Sequence, residues 1–440
     1  MRRRIKVPLH IGIRASLVCV IALGIFSASS FAAEKEDAST AHNASPTSTI
    51  TPAALKPIVL ITGGTGLVDL PTGKSPGVLN SAEIYDPALH RFLPIAAMNE
   101  RRDQFSAAAI GIDKVLIAGG INTLLVPLNL FPGPAMPWIL RSADIFDSGT
   151  GKFTAAPSMK DSRDEPTLTA LQNGKVLIVG GASPAAELYD PKSNTFEETG
   201  AMASSRHGQT ATLLRQGGVL IAGGGFQKLE VYDPASGKFH FAGKLDDNRL
   251  YHTATLLGDG LVLIAGGCPF ARSSAVDTSE IFDEVGQAVS AGPKMNQSRA
   301  GHTATLLGDG RVLIAGGRGD KSSELYDPES HQFVAGPEMV EARTGHSATL
   351  LPEGTVLIAG GWDPDYKPLS SAEIFDPESN RFVTTGEMTE ARAGQSATLI
   401  FGREPIDWIR PTPSITPTES ITPTDSAVAT PSAKETPQAR

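Results

Sequence analysis

Short aliphatic runs that end in two glycines recur along the chain, separated by segments in which apolar and polar residues alternate. One such run, Val312 to Ala315, leads directly into Gly316 and Gly317. The diglycine occurs seven times, at intervals of 43 to 61 residues: Gly63-Gly64, Gly119-Gly120, Gly180-Gly181, Gly223-Gly224, Gly266-Gly267, Gly316-Gly317 and Gly360-Gly361. A short continuous apolar run predicts a strand that is buried on both faces, and a repeat of about 50 residues predicts a radial or stacked architecture.

Each repeat carries signals for four strands, which are clearest in the copy around residue 310. A first strand at 299–307 is followed by a Gly-Asp-Gly turn, the aliphatic run, an alternating segment that ends at Pro328, and a last strand that begins at Phe333. An apolar residue stands six positions after the turn aspartate in all seven repeats: Phe92, Phe153, Phe196, Phe239, Val289, Phe333 and Phe382. Four-stranded antiparallel sheets repeated around an axis form a propeller. We therefore expect an all-β, seven-bladed β-propeller.

The two ends of the repeat region predict how the ring closes. The second-strand signal appears first at 58–62, whereas the first-strand signal appears last at 396–400. The opening repeat therefore lacks its innermost strand, and the end of the region has one left over. Strand 396–400 is expected to complete the blade that begins with 58–97, because such pairing removes exposed strand edges.

The combination of motifs resembles the kelch repeat. A diglycine follows an aliphatic strand, Glu-x-Tyr-Asp-Pro follows at 324–328, and Met339-x-x-x-Arg343 closes the copy. The family usually has tryptophan on the fourth strand, where this chain has phenylalanine. The resemblance implies a propeller like the central domain of galactose oxidase, in a bacterial secreted kelch protein.

The segments outside the repeats predict export. Residues 1–33 begin with Arg2, Arg3 and Arg4, continue with an apolar stretch at 15–26 and end in small residues, as a cleaved signal peptide does. Residues 34–56 are expected to be a disordered linker, 57–401 the kelch propeller, and 402–440 a disordered tail rich in Thr, Pro and Ser. We expect a secreted or periplasmic protein without a membrane span after signal cleavage, and association with the cell surface is left open.

Charge and cysteine content argue against a nucleic-acid partner and against an internal disulfide. The formal net charge is −9 and the basic residues are scattered, so a nucleic acid is not expected as a partner. The chain has two cysteines, Cys19 and Cys268, and the first lies in the predicted signal peptide. An internal disulfide is therefore not expected in the mature protein.

An arginine precedes each first strand, where we expect it to lie at the mouth of the propeller. These residues are Arg102, Arg163, Arg206, Arg249, Arg299, Arg343 and Arg392. Guanidinium groups there could bind carboxylate, sulfate or sugar hydroxyl groups, and Arg206, Arg249, Arg299 and Arg343 are our candidates. The alternative is a structural role in ion pairs, because five of the seven have a carboxylate two residues earlier. Arg206 and Arg299 lack that neighbour, so they are the better candidates for binding an anion.

Histidines follow three of these arginines by three residues. His252, His302 and His346 could converge on a metal, but Gln209 and Gln395 occupy the same register in other repeats. A hydrogen-bonding role is therefore the expected one, and no metal site or cofactor is predicted. The three histidines and the neighbouring Tyr251 remain candidate ligand contacts.

Two loops that follow diglycines add aromatic candidates. Residues 121–140 form an apolar, proline-rich insertion with Phe131 and Trp138, which could act as a lid, a sugar-stacking platform or a plug of the channel. Trp362 opens a second loop at 362–369. These three side chains are predicted to contact a ligand.

The sequence favours a non-catalytic propeller that binds a protein partner or a surface glycan at its loop-rich face, with the oligomeric state left open. The alternative is a carbohydrate-active enzyme, either similar to a sugar mutarotase or, less favoured, to a copper radical oxidase. Tyr251-His252 looks like a copper-ligand pair of such oxidases. However, Cys268 follows a diglycine instead of preceding a first strand, and no second tyrosine is placed to join it.

Overall fold

The computed structural model describes residues 56–70, 73–122, 138–271, 273–317 and 319–402. The predicted signal peptide, nearly all of the linker, the tail beyond residue 402 and Phe131 lie outside the described residues. Within them every regular element is a strand, so the expected all-β class is confirmed. A search of this part of the chain for an apolar helix of membrane-spanning length finds none.

Seven four-stranded antiparallel sheets form the body of the described residues. From the inner strand outward, blade 1 contains Ser396–Gly402, Lys56–Thr62, Ala82–Asp86 and Arg91–Pro94; blade 2 Ser106–Ala109, Lys114–Ala118, Ala143–Asp147 and Lys152–Ala156; blade 3 Thr167–Ala170, Val176–Val179, Ala185–Asp190 and Thr195–Ala201; blade 4 Gln209–Leu213, Val219–Gly223, Lys228–Asp233 and Lys238–Lys244. Blade 5 contains Thr253–Leu256, Leu261–Ala265, Ser279–Asp283 and Ala288–Ala291; blade 6 Thr303–Leu306, Val312–Ala315, Ser323–Asp327 and Gln332–Ala335; blade 7 Ser347–Leu350, Val356–Ala359, Ala372–Asp376 and Arg381–Thr384.

Smaller sheets stand beside the blades. Thr65–Leu70 pairs with both Gly73–Val78 and Arg392–Ala393. Ile121–Asn122 pairs with Trp138–Ile139 at the base of the long insertion. Each sheet contains chain that follows a diglycine, and in the first sheet this chain pairs with the segment that precedes the inner strand of blade 1.

The chain ends meet in blade 1. Ser396–Gly402 pairs antiparallel with Lys56–Thr62 along its full length, with Leu60 opposite Thr398. The same strand lies beside the inner strands of blade 2 and blade 7, and every other inner strand likewise contacts those of its two neighbours. The seven inner strands thus surround one axis.

Each hydrophobic cluster is shared by two adjacent blades. In one of them Leu263 of blade 5 packs against Val312, Ile314 and Tyr326 of blade 6. Burying an aliphatic side chain of this size contributes about 1.5 to 3 kcal/mol. The continuous apolar runs of the second strands are buried on both faces for this reason, because one face meets each neighbouring blade.

Aromatic pairs join the third and fourth strands. The rings of Tyr326 and Phe333 lie 5.1 Å apart between centroids, and every blade but the fifth has an equivalent pair. In blade 5 Val289 stands opposite Phe282 instead. Phenylalanine on the fourth strand therefore fills the packing position where kelch repeats usually carry tryptophan.

The diglycines allow the next blade to approach closely. Gly316 and Gly317 have φ angles of 64° and 85°, which favour glycine. A Cβ on Gly316 would overlap the carbonyl oxygen of Arg343, and one on Gly317 would lie 2.6 Å from the backbone nitrogen of His302. The second strand of blade 6 thus ends where the segments that lead into blades 6 and 7 pass over it.

Candidate functional site

The seven arginines that precede the inner strands are buried inside the blades. Arg299 shows the arrangement: Nε lies 3.1 Å from Glu324 Oε1, and Nη1 donates to the Gly316 carbonyl at 2.8 Å. All seven have a buried carboxylate partner on the third strand of the same blade, at 2.7–3.1 Å: Arg102–Asp144, Arg163–Glu187, Arg206–Glu230, Arg249–Glu280, Arg299–Glu324, Arg343–Glu373 and Arg392–Glu83. This geometry matches the structural alternative, in which the arginines hold each blade together.

Arg206 and Arg299, predicted to be the better candidates for binding an anion, each have a carboxylate partner in the structure. Both guanidinium groups are at most 1% exposed and ion-paired with Glu230 and Glu324. These partners lie 24 and 25 residues further along the chain, so the residues adjacent in sequence do not reveal them. The signal that could have found them is the acid in the third strand, which recurs once per repeat just as the arginine does. Arg249 and Arg343 are buried and paired in the same way.

The carboxylates two residues before the arginines are secondary partners. Glu100, Asp161, Glu341 and Glu390 lie 3.6–3.8 Å from their arginines and are about two-fifths exposed. Glu324, by contrast, is buried and also accepts the backbone N–H groups of Asn296 and Gln297. The third-strand acid therefore fixes both the arginine and the loop that carries it.

His252, His302 and His346 join neighbouring inner strands. Their Nε2 atoms lie 2.9–3.0 Å from threonine hydroxyls of the preceding blade: Thr210, Thr253 and Thr303. Gln395, at the same register, donates to Ser347 in blade 7 at 3.2 Å. The hydrogen-bonding role therefore fits these buried side chains, which do not reach the surface as ligand contacts.

The buried histidines are uncharged. Burial is the main cause that lowers the pKa of His252 to about 3, with the positive charge of Arg249 acting in the same direction. Burial and Arg299 lower the pKa of His302 to about 3 as well. Neutral imidazole is therefore the form that the ring of blades accommodates.

A metal-ligand set is not assembled in the part of the chain that the structure describes. No group of three or more His, Cys, Asp or Glu side chains there is placed to hold an ion. The residues also do not fit the copper set of the radical oxidases, because His252 Nε2 bonds to Thr210 and Cys268 Sγ lies 3.8 Å from the Leu250 carbonyl.

A ring of seven backbone positions surrounds the axis at the mouth, and hydrogen bonds link five of its neighbouring pairs. Its members, here called the mouth ring, stand two residues after each arginine: Gln104, Glu165, Gly208, Tyr251, Gly301, Gly345 and Gly394. The N–H of Gly345 donates to the Gly301 carbonyl at 3.0 Å, and that of Gly301 donates to the Tyr251 carbonyl at 2.9 Å. Equivalent bonds join Gly394 to Gly345, Tyr251 to Gly208 and Glu165 to Gln104. These bonds join blade 2 to blade 3, and blade 4 through blades 5, 6 and 7 to blade 1.

Three members of the mouth ring are not glycine, although the positive φ angle at these positions favours glycine. The four glycines have φ angles of 62–67°, and Gln104, Glu165 and Tyr251 adopt nearly the same angles, 54°, 49° and 55°. A side chain in this region costs about 1 to 2 kcal/mol. Strain of this kind is commonly found at functional sites. Blades 2, 3 and 5 therefore place side chains at the mouth where the other blades have none.

These side chains and their neighbours form what we call the mouth cluster, which consists of Asp103, Gln104, Asp164, Glu165, His207 and Tyr251. The hydroxyl of Tyr251 reaches across Gly208 to Glu165 Oε1 at 3.5 Å. His207 Nδ1 lies 3.4 Å from Asp164 Oδ2. Gln104, Asp164 and Glu165 are buried, whereas the other three members are partly exposed. The cluster is thus continuous across blades 2 to 5.

Asp103 is a member of the mouth cluster whose carboxyl pKa is raised. Burial raises the pKa of its carboxyl group to about 6, although hydrogen bonds from the Thr65 hydroxyl and the Gln104 backbone oppose the shift. A carboxylic acid with this pKa changes charge near neutral pH. The charge of the mouth cluster therefore becomes less negative as the pH falls through 6.

Exposed aromatic rings surround this mouth on loops that follow the diglycines. We call Trp138, Phe226, Phe270 and Tyr366 the aromatic rim; they are 70%, 41%, 64% and 61% exposed. Backbone bridges such as Leu250 to Cys268 join these loops to the segments that carry the mouth ring. The loops before the inner strands and those after the diglycines therefore share one face.

The aromatic candidates from the sequence differ in their placement. Trp138 is exposed at the base of the insertion, as a ligand contact requires. Trp362 is partly buried and bridges Thr344 and Pro368, so it supports its loop. Tyr366, at the tip of the same loop, is the exposed ring there. Phe131 lies outside the described residues.

Comparison with known proteins agrees with this architecture. The kelch motif family model matches residues 343–389. Among solved structures, the chain is similar to that of YjhT, with 14% identity and a TM-score of 0.50 over 66% of this chain and 99% of the other. It is also similar to a fungal alcohol oxidase of the AA5 family in complex with copper, with 15% identity and a TM-score of 0.56 over 80% of this chain and 97% of the other. No curated protein sequence matches. At these identities the likeness shows the fold alone.

Proposed function

Because this chain is a kelch-repeat β-propeller, we propose that it is an exported, non-catalytic protein that binds a protein partner or a surface glycan at the face carrying the mouth cluster and the aromatic rim. The export component rests on the character of residues 1–33. The location would be secreted or periplasmic, with attachment to the cell surface as a further possibility of the same proposal.

The observation that carries the proposal is the one-sided distribution of exposed aromatic rings. Four of the five exposed aromatic side chains in the described residues belong to the aromatic rim, and the fifth, Phe241, lies on the outer strand of blade 4. Aromatic rings bury large apolar areas on association and are enriched among residues that dominate binding energy. Their concentration around one mouth supports a contact surface there.

Catalysis is the second candidate that the same face supports. Mutarotation of a sugar needs a positioned acid–base pair, and the Tyr251 hydroxyl beside the Glu165 carboxylate supplies two such groups. This activity stays a prediction.

Alanine substitution of the aromatic rim tests the binding proposal. We expect the double variant Trp138→Ala/Phe270→Ala to lose about 100-fold in affinity, since an exposed ring that becomes buried on binding contributes about 1 to 2 kcal/mol. The measurement is retention of the purified protein on an array of cell-surface polysaccharides and proteins, followed by titration of whichever ligand is retained.

Phe241→Ala is the matched control because it removes an exposed ring away from this face. It should leave both retention and affinity unchanged. Equal losses in the control and the double variant, or no loss in either, would rule out the aromatic rim as the contact surface.

A further inference from the structure

We propose that a cleft between blades 4 and 5 binds an alkylammonium group, such as that of a lysine side chain. The cleft has a volume of about 170 Å³ and is partly open to solvent. Gly218, which lines it, precedes the second strand of blade 4, whereas the diglycine at the mouth ends that strand. The cleft therefore lies at the end of the blades away from the mouth, and the inference goes beyond the proposed function.

The cleft opens where one side chain is missing from the repeat. The residue before the Val-Leu-Ile run of the second strand carries a side chain in six repeats: Ile58, Lys114, Lys175, Leu261, Arg311 and Thr355. In blade 4 this residue is Gly218. Side chains alternate along a strand, so position 218 faces blade 5, as the side chain of Leu220 does. At the next seam Leu261 packs against the cluster shared by blades 5 and 6, and blade 4 has no such cover.

Two other blades show which group this position places beside the turn aspartate. In blade 2 the Nζ atom of Lys114 lies 3.2 Å from Asp147 Oδ2. In blade 3 the Nζ atom of Lys175 lies 3.4 Å from Asp190 Oδ2. The same strand geometry thus brings an ammonium group to the turn aspartate in two independent copies of the repeat.

Blade 4 keeps the aspartate but lacks the lysine. Its second and third strands pair with Val219 opposite Tyr232, so the adjacent residues Gly218 and Asp233 stand together at the strand ends. The Asp233 carboxylate lines the cleft and accepts hydrogen bonds from its own turn, of which the shortest comes from the Ser236 hydroxyl at 2.6 Å. Among the described residues no lysine or arginine pairs with it. An ammonium group from another molecule would meet this aspartate as the lysines do in blades 2 and 3.

Blade 5 adds a second carboxylate to the cleft. Glu284 stands where five repeats have proline after the turn aspartate. Its Oε2 accepts the backbone N–H of Gln216 across the seam at 3.4 Å, and burial raises the pKa of its carboxyl group. A cation nearby stabilises the charged form of such an acid. The two walls of the cleft therefore each offer a carboxylate to an ammonium group.

The remaining lining favours an alkylammonium group over a metal ion or a neutral ligand. Phe282 and Val231 form the apolar part of the cleft, which suits a methylene stem, because the stems of lysine side chains lie along apolar surface. The described carboxylates and histidines, including His240 in this cleft, are not gathered into a metal-ligand set. An ammonium group offers three donors and no acceptor, which matches two carboxylates.

Ligand-observed NMR titration of the purified protein tests the inference with pentylamine, 1-pentanol and Nα-acetyl-lysine N-methylamide. At pH 8 free imidazole is neutral and does not compete with the amine. Pentylamine should bind at least about tenfold more tightly than 1-pentanol, because a hydrogen bond to a charged group is stronger than one between neutral groups. Binding of the lysine amide as tightly as pentylamine would support a lysine of a protein as the source, and binding of pentylamine alone would support a free amine.

Gly218→Lys locates the binding, because it places in blade 4 the lysine that blades 2 and 3 carry. It should weaken pentylamine binding at least about tenfold, since the built-in ammonium group would occupy the cleft. A Cβ at position 218 would lie 3.0 Å from Val231 Cγ1, so only a small shift of that methyl group is needed. Thr355→Lys is the matched control: it adds the same charge at the same register of blade 7 and should leave binding unchanged.

Glu284→Gln provides a second variant in case Gly218→Lys does not fold, because it keeps the shape and removes the charge. It should weaken pentylamine about tenfold and leave 1-pentanol unchanged. Glu329→Gln, in the exposed turn between the third and fourth strands of blade 6, should change neither. Equal binding of pentylamine and 1-pentanol, binding of neither, or equal effects of a variant and its control would overturn the inference. Each of these results would leave the proposal for the mouth face untouched.

Discussion

Arg299→Ala is expected to lower the free energy of unfolding by about 3 to 5 kcal/mol, because it leaves a buried carboxylate without its partner. Glu324 is 1% exposed and would keep only neutral donors, namely the backbone N–H groups of Asn296 and Gln297 and the side-chain amide of Asn296. The carbonyl of Gly316 would lose its donor as well. Urea denaturation of the purified protein measures the effect.

Arg311→Ala is the matched control for this prediction. Arg311 also forms an ion pair, with Asp309 at 2.7 Å, but its side chain is 33% exposed. Surface pairs of this kind contribute about 1 kcal/mol or less. If Arg299→Ala were no more destabilising than Arg311→Ala, the arginines would not have the structural role assigned to them.

Acidification from pH 7.5 to pH 5 is expected to destabilise the protein through its buried histidines. In the unfolded chain they take up a proton near the ordinary pKa of 6.5, whereas in the folded protein His252 and His302 stay neutral until about pH 3. The stability is therefore fully present above pH 6.5 and is lost as the pH falls toward 3. At pH 5 the loss is about 2 kcal/mol for each of these two residues.

Asp103 acts in the opposite direction over part of this range. Its folded pKa of about 6 lies above the ordinary value of 3.8, so the folded protein binds a proton there before the unfolded chain does. This recovers about 1.4 kcal/mol at pH 5. The net loss expected for the two histidines and Asp103 together is about 3 kcal/mol.

Glutamine substitution isolates the contribution of the histidines. His252→Gln/His302→Gln introduces the residue that blades 4 and 1 already use at this register, as Gln209 and Gln395. The variant should fold and should retain about 4 kcal/mol more of its pH 7.5 stability at pH 5 than the parent does. Parallel stability profiles of parent and variant between pH 7.5 and pH 5 would contradict the assignment of neutral histidines.

The strand pattern could be predicted from sequence because burial between two blades requires apolar residues at every position of the second strand. Both faces of the second strand meet apolar surface, so a run such as Val312 to Ala315 is aliphatic at every position. The pairing of the last strand with the first follows from the order of the strand signals alone. Tertiary contacts only reinforce what the local pattern already indicates.

The partners of the arginines could not be predicted from neighbouring residues. Glu230 is 24 residues beyond Arg206 and approaches it only because the second and third strands of blade 4 pair. A contact between residues so far apart in sequence cannot be inferred from either residue alone. It can be inferred from the repeats, because the arginine and the acid both recur in every one. Comparison of the repeats with one another also shows that Gln104, Glu165 and Tyr251 stand where other repeats have glycine. The backbone strain that these side chains cause is visible only in their φ angles.

Residues shared by all repeats build the ring of blades, whereas we propose that the side chains that replace glycine in the mouth ring serve binding. Thermal and urea unfolding of Gln104→Gly/Glu165→Gly/Tyr251→Gly tests this most directly. We predict a stability within about 2 kcal/mol of the parent, because relief of backbone strain offsets the lost side-chain contacts and the greater freedom of glycine in the unfolded chain. A loss as large as that expected for Arg299→Ala, or larger, would show that these side chains hold the fold together, and would contradict this division of roles.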